Sequence, residues 1–137
     1  MLKRTKIIAL IFALASTPAA LAARGANGNT GVKGSDPTLA MVNDANGNGL
    51  PNWGDTVTFN VSTAAAYPAL QLACYQNSAL VFDQIVGAFP SYMASKDFTL
   101  QSNLWTGGAA DCTATLYTTS SSGKQTTLAT TSFAVDA

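Results

Sequence analysis

Val57, Phe59 and Val61 alternate with Thr58, Asn60 and Ser62, and this two-residue period decides the class of fold open to the chain. Successive side chains of a strand point to opposite faces, so such a stretch belongs to a sheet with one face buried. The same period returns at Leu70, Leu72 and Cys74, and again at Cys112, Ala114 and Leu116, which alternate with Thr113, Thr115 and Tyr117. No window beyond the first two dozen residues carries a helical period.

Turn chemistry separates the alternating stretches. Thr38 to Val42 reads as a first short strand. Tyr75-Gln76-Asn77-Ser78 reads as a tight turn into a strand with Leu80 and Phe82 inward. The loop Gly87 to Tyr92 leads to a strand marked by Phe98 and Leu100, and Ser120 to Lys124 has the composition of a turn. In the last strand Leu128 differs in parity from Phe133 and Val135, which predicts a bulge near Ala129 to Thr131. Short strands with turns at this spacing predict an all-β, immunoglobulin-like antiparallel β-sandwich of about seven strands over residues 37–137.

The segments before that domain have other compositions. Lys3, Arg4 and Lys6 precede the apolar run Ile7 to Ala15, Pro18 breaks it, and Ala20-Leu21-Ala22 supplies small residues for cleavage. This is the pattern of a secretory signal peptide over residues 1–22, too short in its apolar part to span a bilayer. A secreted or cell-surface protein is expected, with no stable membrane insertion after cleavage. Residues 23–36, rich in glycine and nearly free of apolar side chains, read as a flexible leader. Removing the signal leaves Arg24, Lys33, Lys96 and Lys124 against seven aspartates, a net charge of −3. Nothing there forms the basic footprint that a nucleic-acid partner requires.

Cys74 and Cys112 are the only cysteines. In an exported chain such a pair most economically forms one disulfide, and closing a 38-residue loop would stabilise by roughly 4 kcal/mol. On a seven-strand count they fall on the third and sixth strands, which are neighbours in one sheet of an immunoglobulin-type topology. The antibody bridge joins the two sheets instead.

Asp44-Ala45-Asn46-Gly47-Asn48-Gly49-Leu50-Pro51-Asn52-Trp53-Gly54-Asp55 spaces oxygen donors as a calcium loop does. Asp44, Asn46 and Asn48 take positions 1, 3 and 5, Gly49 the turn position, the Leu50 carbonyl position 7 and Asp55 position 12. Against this, position 12 is Asp rather than Glu, Pro51 stiffens the loop, and the flanks are strands. Asn and Gly are also what a plain left-handed turn demands, so an ion site and a bare turn are both open. A calcium site with so few charges would be weak, about 10⁻⁴–10⁻³ M.

Asn46 to Phe59 resembles the openings of immunoglobulin-like repeats in bacterial surface and secreted proteins, where an Asn-Gly-rich loop, a Gly-Asp pair and a Thr-Val-Thr-Phe strand recur. Trp105 to Tyr117 looks like small exported bacterial domains of the same kind. The resemblance implies export, a sandwich fold and an adhesive or structural surface role, and it carries no catalytic residue.

Catalysis is not expected from the residues either. The chain lacks His and Glu, so a Ser nucleophile has no imidazole base, and Asp83, Asp97 and Asp111 sit where solvated carboxylates are normal. The expected function is non-catalytic binding or structure, with a surface protein or a glycan as partner. An alternative is a carbohydrate-binding module whose exposed rings stack on sugars. Trp105 and Tyr92 are its candidate ligand contacts, within a set that also includes Trp53, Tyr67, Tyr75 and Tyr117. The same rings could instead cap the open ends of the core.

Overall fold

A computed structural model of the protein describes residues 34–87 and 96–137. The signal peptide, most of the leader and Tyr92 lie outside the described residues. Those described form an all-β fold of two antiparallel sheets. The strands are β1 (Thr38–Asn43), β2 (Thr56–Asn60), β3 (Pro68–Gln76), β4 (Ala79–Gly87), β5 (Phe98–Thr99), β6 (Ala110–Thr119) and β7 (Gln125–Val135). The smaller sheet runs β1-β2-β5 and the larger β4-β3-β6-β7.

Both sheets contribute to one core. Val57 and Phe59 of β2 and Phe98 of β5 are buried with Leu70, Leu72, Ala114 and Leu116 of β3 and β6. Phe59 holds the layers together: its ring lies 5.8 Å edge-on from Phe98 and 5.9 Å from Phe133 on the opposite sheet. The alternation read from the sequence thus becomes the inward face of β2, β3 and β6.

Cys74 and Cys112 stand directly opposite each other in the β3–β6 register and form a disulfide with Cα atoms 4.0 Å apart. The bridge is buried and lies within the larger sheet, as the strand count predicted.

Departures from the alternation occur where a strand carries an extra residue. The β6–β7 register shifts beside Leu116 and Tyr117, leaving Leu128 unpaired. This is the expected bulge, one residue ahead of its predicted span, and beside it Leu128, of opposite parity, packs against the same core as Ala129 and Val135. The β3–β4 register shifts similarly, with Val81 as the extra residue. Val81 and Phe82 are therefore both buried, and Leu80, expected inward, is 44% exposed. The turn between these strands is Asn77-Ser78, both at positive φ (49° and 68°). That is the twist-matched geometry of a two-residue hairpin, which Asn accepts readily.

The expected leader ends earlier than Asp36. Gly34 bridges Thr63, the Ser35 N–H donates to the Ser62 carbonyl at 2.8 Å, and the Ser62 N–H donates to the Ser35 hydroxyl at 3.1 Å. Backbone pairing and the Ser35 hydroxyl tie these residues down.

Candidate functional site

The connection from β1 to β2 carries the calcium-like spacing. Asp44 organises its first half: the Gly47 N–H donates to Oδ1 and the Gly49 N–H to Oδ2, each at 2.7 Å. Both glycines have left-handed φ (70° and 76°), a conformation in which a Cβ would be strained. Asn46 Oδ1 accepts the Asn48 N–H at 3.0 Å, and Asn48 Oδ1 accepts the Leu50 N–H at 2.8 Å. Each amide thus mimics a turn two residues on.

The Gly49 N–H, above all, holds the Asp44 carboxyl below its ordinary pKa; partial desolvation pushes the other way, and the N–H groups of Gly47, Asn48 and Asn46 add to the lowering. A depressed carboxylate supports the fold in its ionised form. Its contribution is present at neutral pH and is lost as pH falls through the value at which Asp44 takes up a proton.

Asp55 closes the loop from the other end. It is only 1% exposed, and its oxygens accept the Ala45 N–H at 3.0 Å and the Asn52 N–H at 2.9 Å. Leu100 donates its N–H to the Asp55 carbonyl at 2.8 Å, joining the loop to the segment after β5. Asn52 is the buried hub between the halves: its side-chain carbonyl accepts from the Asn46 amide at 3.1 Å. Beside it, the Asp136 N–H donates to the Pro51 carbonyl at 2.8 Å. Sequence reading missed Asn52, because the calcium spacing assigns that position no role.

The oxygen-only donor set of Asp44, Asn46, Asn48, the Leu50 carbonyl and Asp55 matches the chemistry calcium prefers. Each carboxylate oxygen accepts one N–H in these bonds, and a carboxylate offers about four lone-pair sites, so acceptor capacity remains. Among the described residues no three His, Cys, Asp or Glu side chains gather into a metal-type cluster. Any ion here would rest on two carboxylates supplemented by amides and backbone.

The aromatic residues sort differently from expectation. Trp105 is 1% exposed, packs edge-on against Phe82 with ring centroids 6.3 Å apart, and donates its Nε1–H to the Gly108 carbonyl at 3.1 Å. It is a core residue with no free face for a sugar. Tyr117 is buried as well, although it lies on the outer parity of β6. Trp53, inside the calcium-like loop, is 41% exposed. Its Nε1–H donates to the Trp105 carbonyl at 3.0 Å, so the buried indole's backbone positions the exposed one.

Trp53 lines a cleft of about 440 Å³ with Gln101, Ser102 and Asn103. Ser102 builds its wall, donating to the Val81 carbonyl and accepting the N–H groups of Leu104 and Trp105 at 3.1 and 3.2 Å. A second groove of about 430 Å³ continues from Ser102 and Asn103 along β4, past Leu80 and Leu104. Asp83, weighed above as a carboxylate for catalysis, accepts from the Gln71 amide at 2.7 Å. No protein-family model, characterised protein or solved structure matches the chain.

Proposed function

We propose that this chain is a secreted or cell-surface, non-catalytic binding module with an immunoglobulin-like sandwich fold, whose Asp44–Asp55 loop is stiffened by calcium. The strand orders β1-β2-β5 and β4-β3-β6-β7 support that fold reading; relative to the constant-type arrangement, the fourth strand has moved beside the third. The secretory pattern of residues 1–22 and the disulfide support export. One observation carries the binding role. The calcium-like loop holds Trp53 between Asn52 and Asp55, and places its exposed ring at a cleft formed with the segment after β5. An ion bound to Asp44, Asn46, Asn48, Leu50 and Asp55 would join the end of β1 to the start of β2 and reduce the freedom of that ring.

Calcium binding the folded form alone must raise stability, by roughly 2.7 kcal/mol at a hundred times the dissociation constant. A calcium series up to about 10 mM should therefore raise the melting temperature by several degrees, given a site in the weak extracellular range. Magnesium should do less, because it demands a tight octahedron. Asp44→Ala should remove the calcium-dependent part. A melting curve identical in chelator and in calcium leaves the loop as a turn.

A carbohydrate is the second reading, and the exposed face of Trp53 beside Gln101 and Asn103 is what favours it. An aromatic platform flanked by amides matches the apolar face and hydroxyl rim of a sugar ring. Trp53→Ala should abolish retention on a glycan array at nearly unchanged melting temperature. Retention that survives this substitution removes the cleft from consideration.

A further inference from the structure

The loop contains two Asn-Gly pairs, Asn46-Gly47 and Asn48-Gly49. This dipeptide is intrinsically reactive, because glycine has no Cβ to hinder attack by its own backbone nitrogen on the preceding side chain. The glycine nitrogen loses its proton and bonds to the Asn Cγ, ammonia leaves, and a succinimide forms. Water then opens that ring at either carbonyl. The product is Asp, or isoaspartate with an extra methylene in the main chain. Either product places a new negative charge between Asp44 and Asp55.

Both nucleophilic nitrogens are held by one side chain. Gly47 N–H donates to Asp44 Oδ1 and Gly49 N–H to Asp44 Oδ2, both at 2.7 Å, the short range of charge-assisted hydrogen bonds. A carboxylate is far too weak a base to take an amide proton. Its negative charge also opposes the amide anion that must form before attack. The electrophilic side is restrained too. Asn46 Oδ1 is bonded to the Asn48 N–H and Asn48 Oδ1 to the Leu50 N–H, so each side-chain carbonyl engages the residue two positions on. The leaving amide of Asn46 is further anchored on Asn52 at 3.1 Å.

We propose that Asp44 guards Asn46 and Asn48 against spontaneous deamidation by holding the nitrogens of Gly47 and Gly49 in their protonated, hydrogen-bonded form. The loop is a latent modification site, closed in the folded protein and opened by loss of one carboxylate. This does not depend on calcium. Asn46, with its second anchor, is the better protected of the two.

The test is peptide mapping by mass spectrometry, with isoaspartate detection, of the folded protein aged in mildly alkaline buffer containing chelator. A synthetic peptide of residues 42–56 sets the unguarded rate, and mapping separates these sites from Asn27-Gly28. The folded protein should deamidate at both sites at least about tenfold more slowly than the peptide, the scale of one charge-assisted hydrogen bond. Asn48 should convert before Asn46. Asp44→Asn keeps the shape but loses the charge and one acceptor oxygen, and should raise the rate at one or both sites; Asp44→Ala should raise both. Melting curves on each variant show that the domain remains folded. Wild-type protein converting at the peptide's rate overturns the proposal, as do folded Asp44→Asn and Asp44→Ala proteins that age like wild type.

Discussion

Replacing both cysteines, Cys74→Ala together with Cys112→Ala, should lower the melting temperature by roughly 15–30 °C. The covalent loop has a sequence separation of 38, and releasing it returns about 4 kcal/mol of chain entropy to the unfolded state. A domain of this size moves about 4–8 °C for each kcal/mol. Both cysteines also belong to the buried core, so the double Ala variant loses packing as well. Reduction of the wild-type protein under mild denaturant should approach the same value without the packing loss. A double variant that melts within about 5 °C of wild type would mean that the bridge constrains little that the β3–β6 pairing does not already fix.

Trp105→Ala should cost about 3–5 kcal/mol in urea unfolding, the range for removing a large buried aromatic. The ring packs on Phe82 and bonds Gly108, and its carbonyl holds the Trp53 indole. An exposed ring at the same position would cost within about 0.5 kcal/mol on truncation, so the measurement separates a core role from a surface one. Trp105→Phe should recover part of the loss but not the Gly108 bond. A cost below about 1 kcal/mol for the Ala variant would contradict the burial of this side chain.

The alternating strands and the cysteine pairing were legible because both rest on local periodicity and strand counting. Val57, Phe59, Leu70, Leu72, Ala114 and Leu116 all face the core as their parity requires. Leu80 and Tyr117 escaped that logic for different reasons. A bulge at Val81 reverses the parity of Leu80. Tyr117 is covered although it is on the outer face, and alternation reports which side a residue takes, not what lies over it. The two tryptophans escaped because loops have no period. Trp105 returns to the core only through the turn at Ser102, whose hydroxyl accepts the Trp105 N–H. In the Asp44–Asp55 loop the ring of oxygen donors was visible as spacing. Its internal bonding was not, since spacing does not say which side chains turn inward, and Asn52 and Asp55 also bond remote segments: the Asn52 amide donates to the Ala137 carbonyl at 3.4 Å and the Asp55 carbonyl accepts the Leu100 N–H.

The disulfide has a mechanical meaning as well as a thermodynamic one. It lies within the larger sheet, yet the covalent loop it closes contains β4 and also β5, a strand of the other sheet. Tension applied through the two ends of the domain passes from β3 to β6 across the sulfurs and never enters that loop. At 3.3–3.6 Å per extended residue, roughly 130 Å of chain stays hidden from force while the bridge is intact. Stretched in its oxidised form, the domain could part its sheets and still keep residues 75–111 as a coiled reserve, released only when the bridge is reduced.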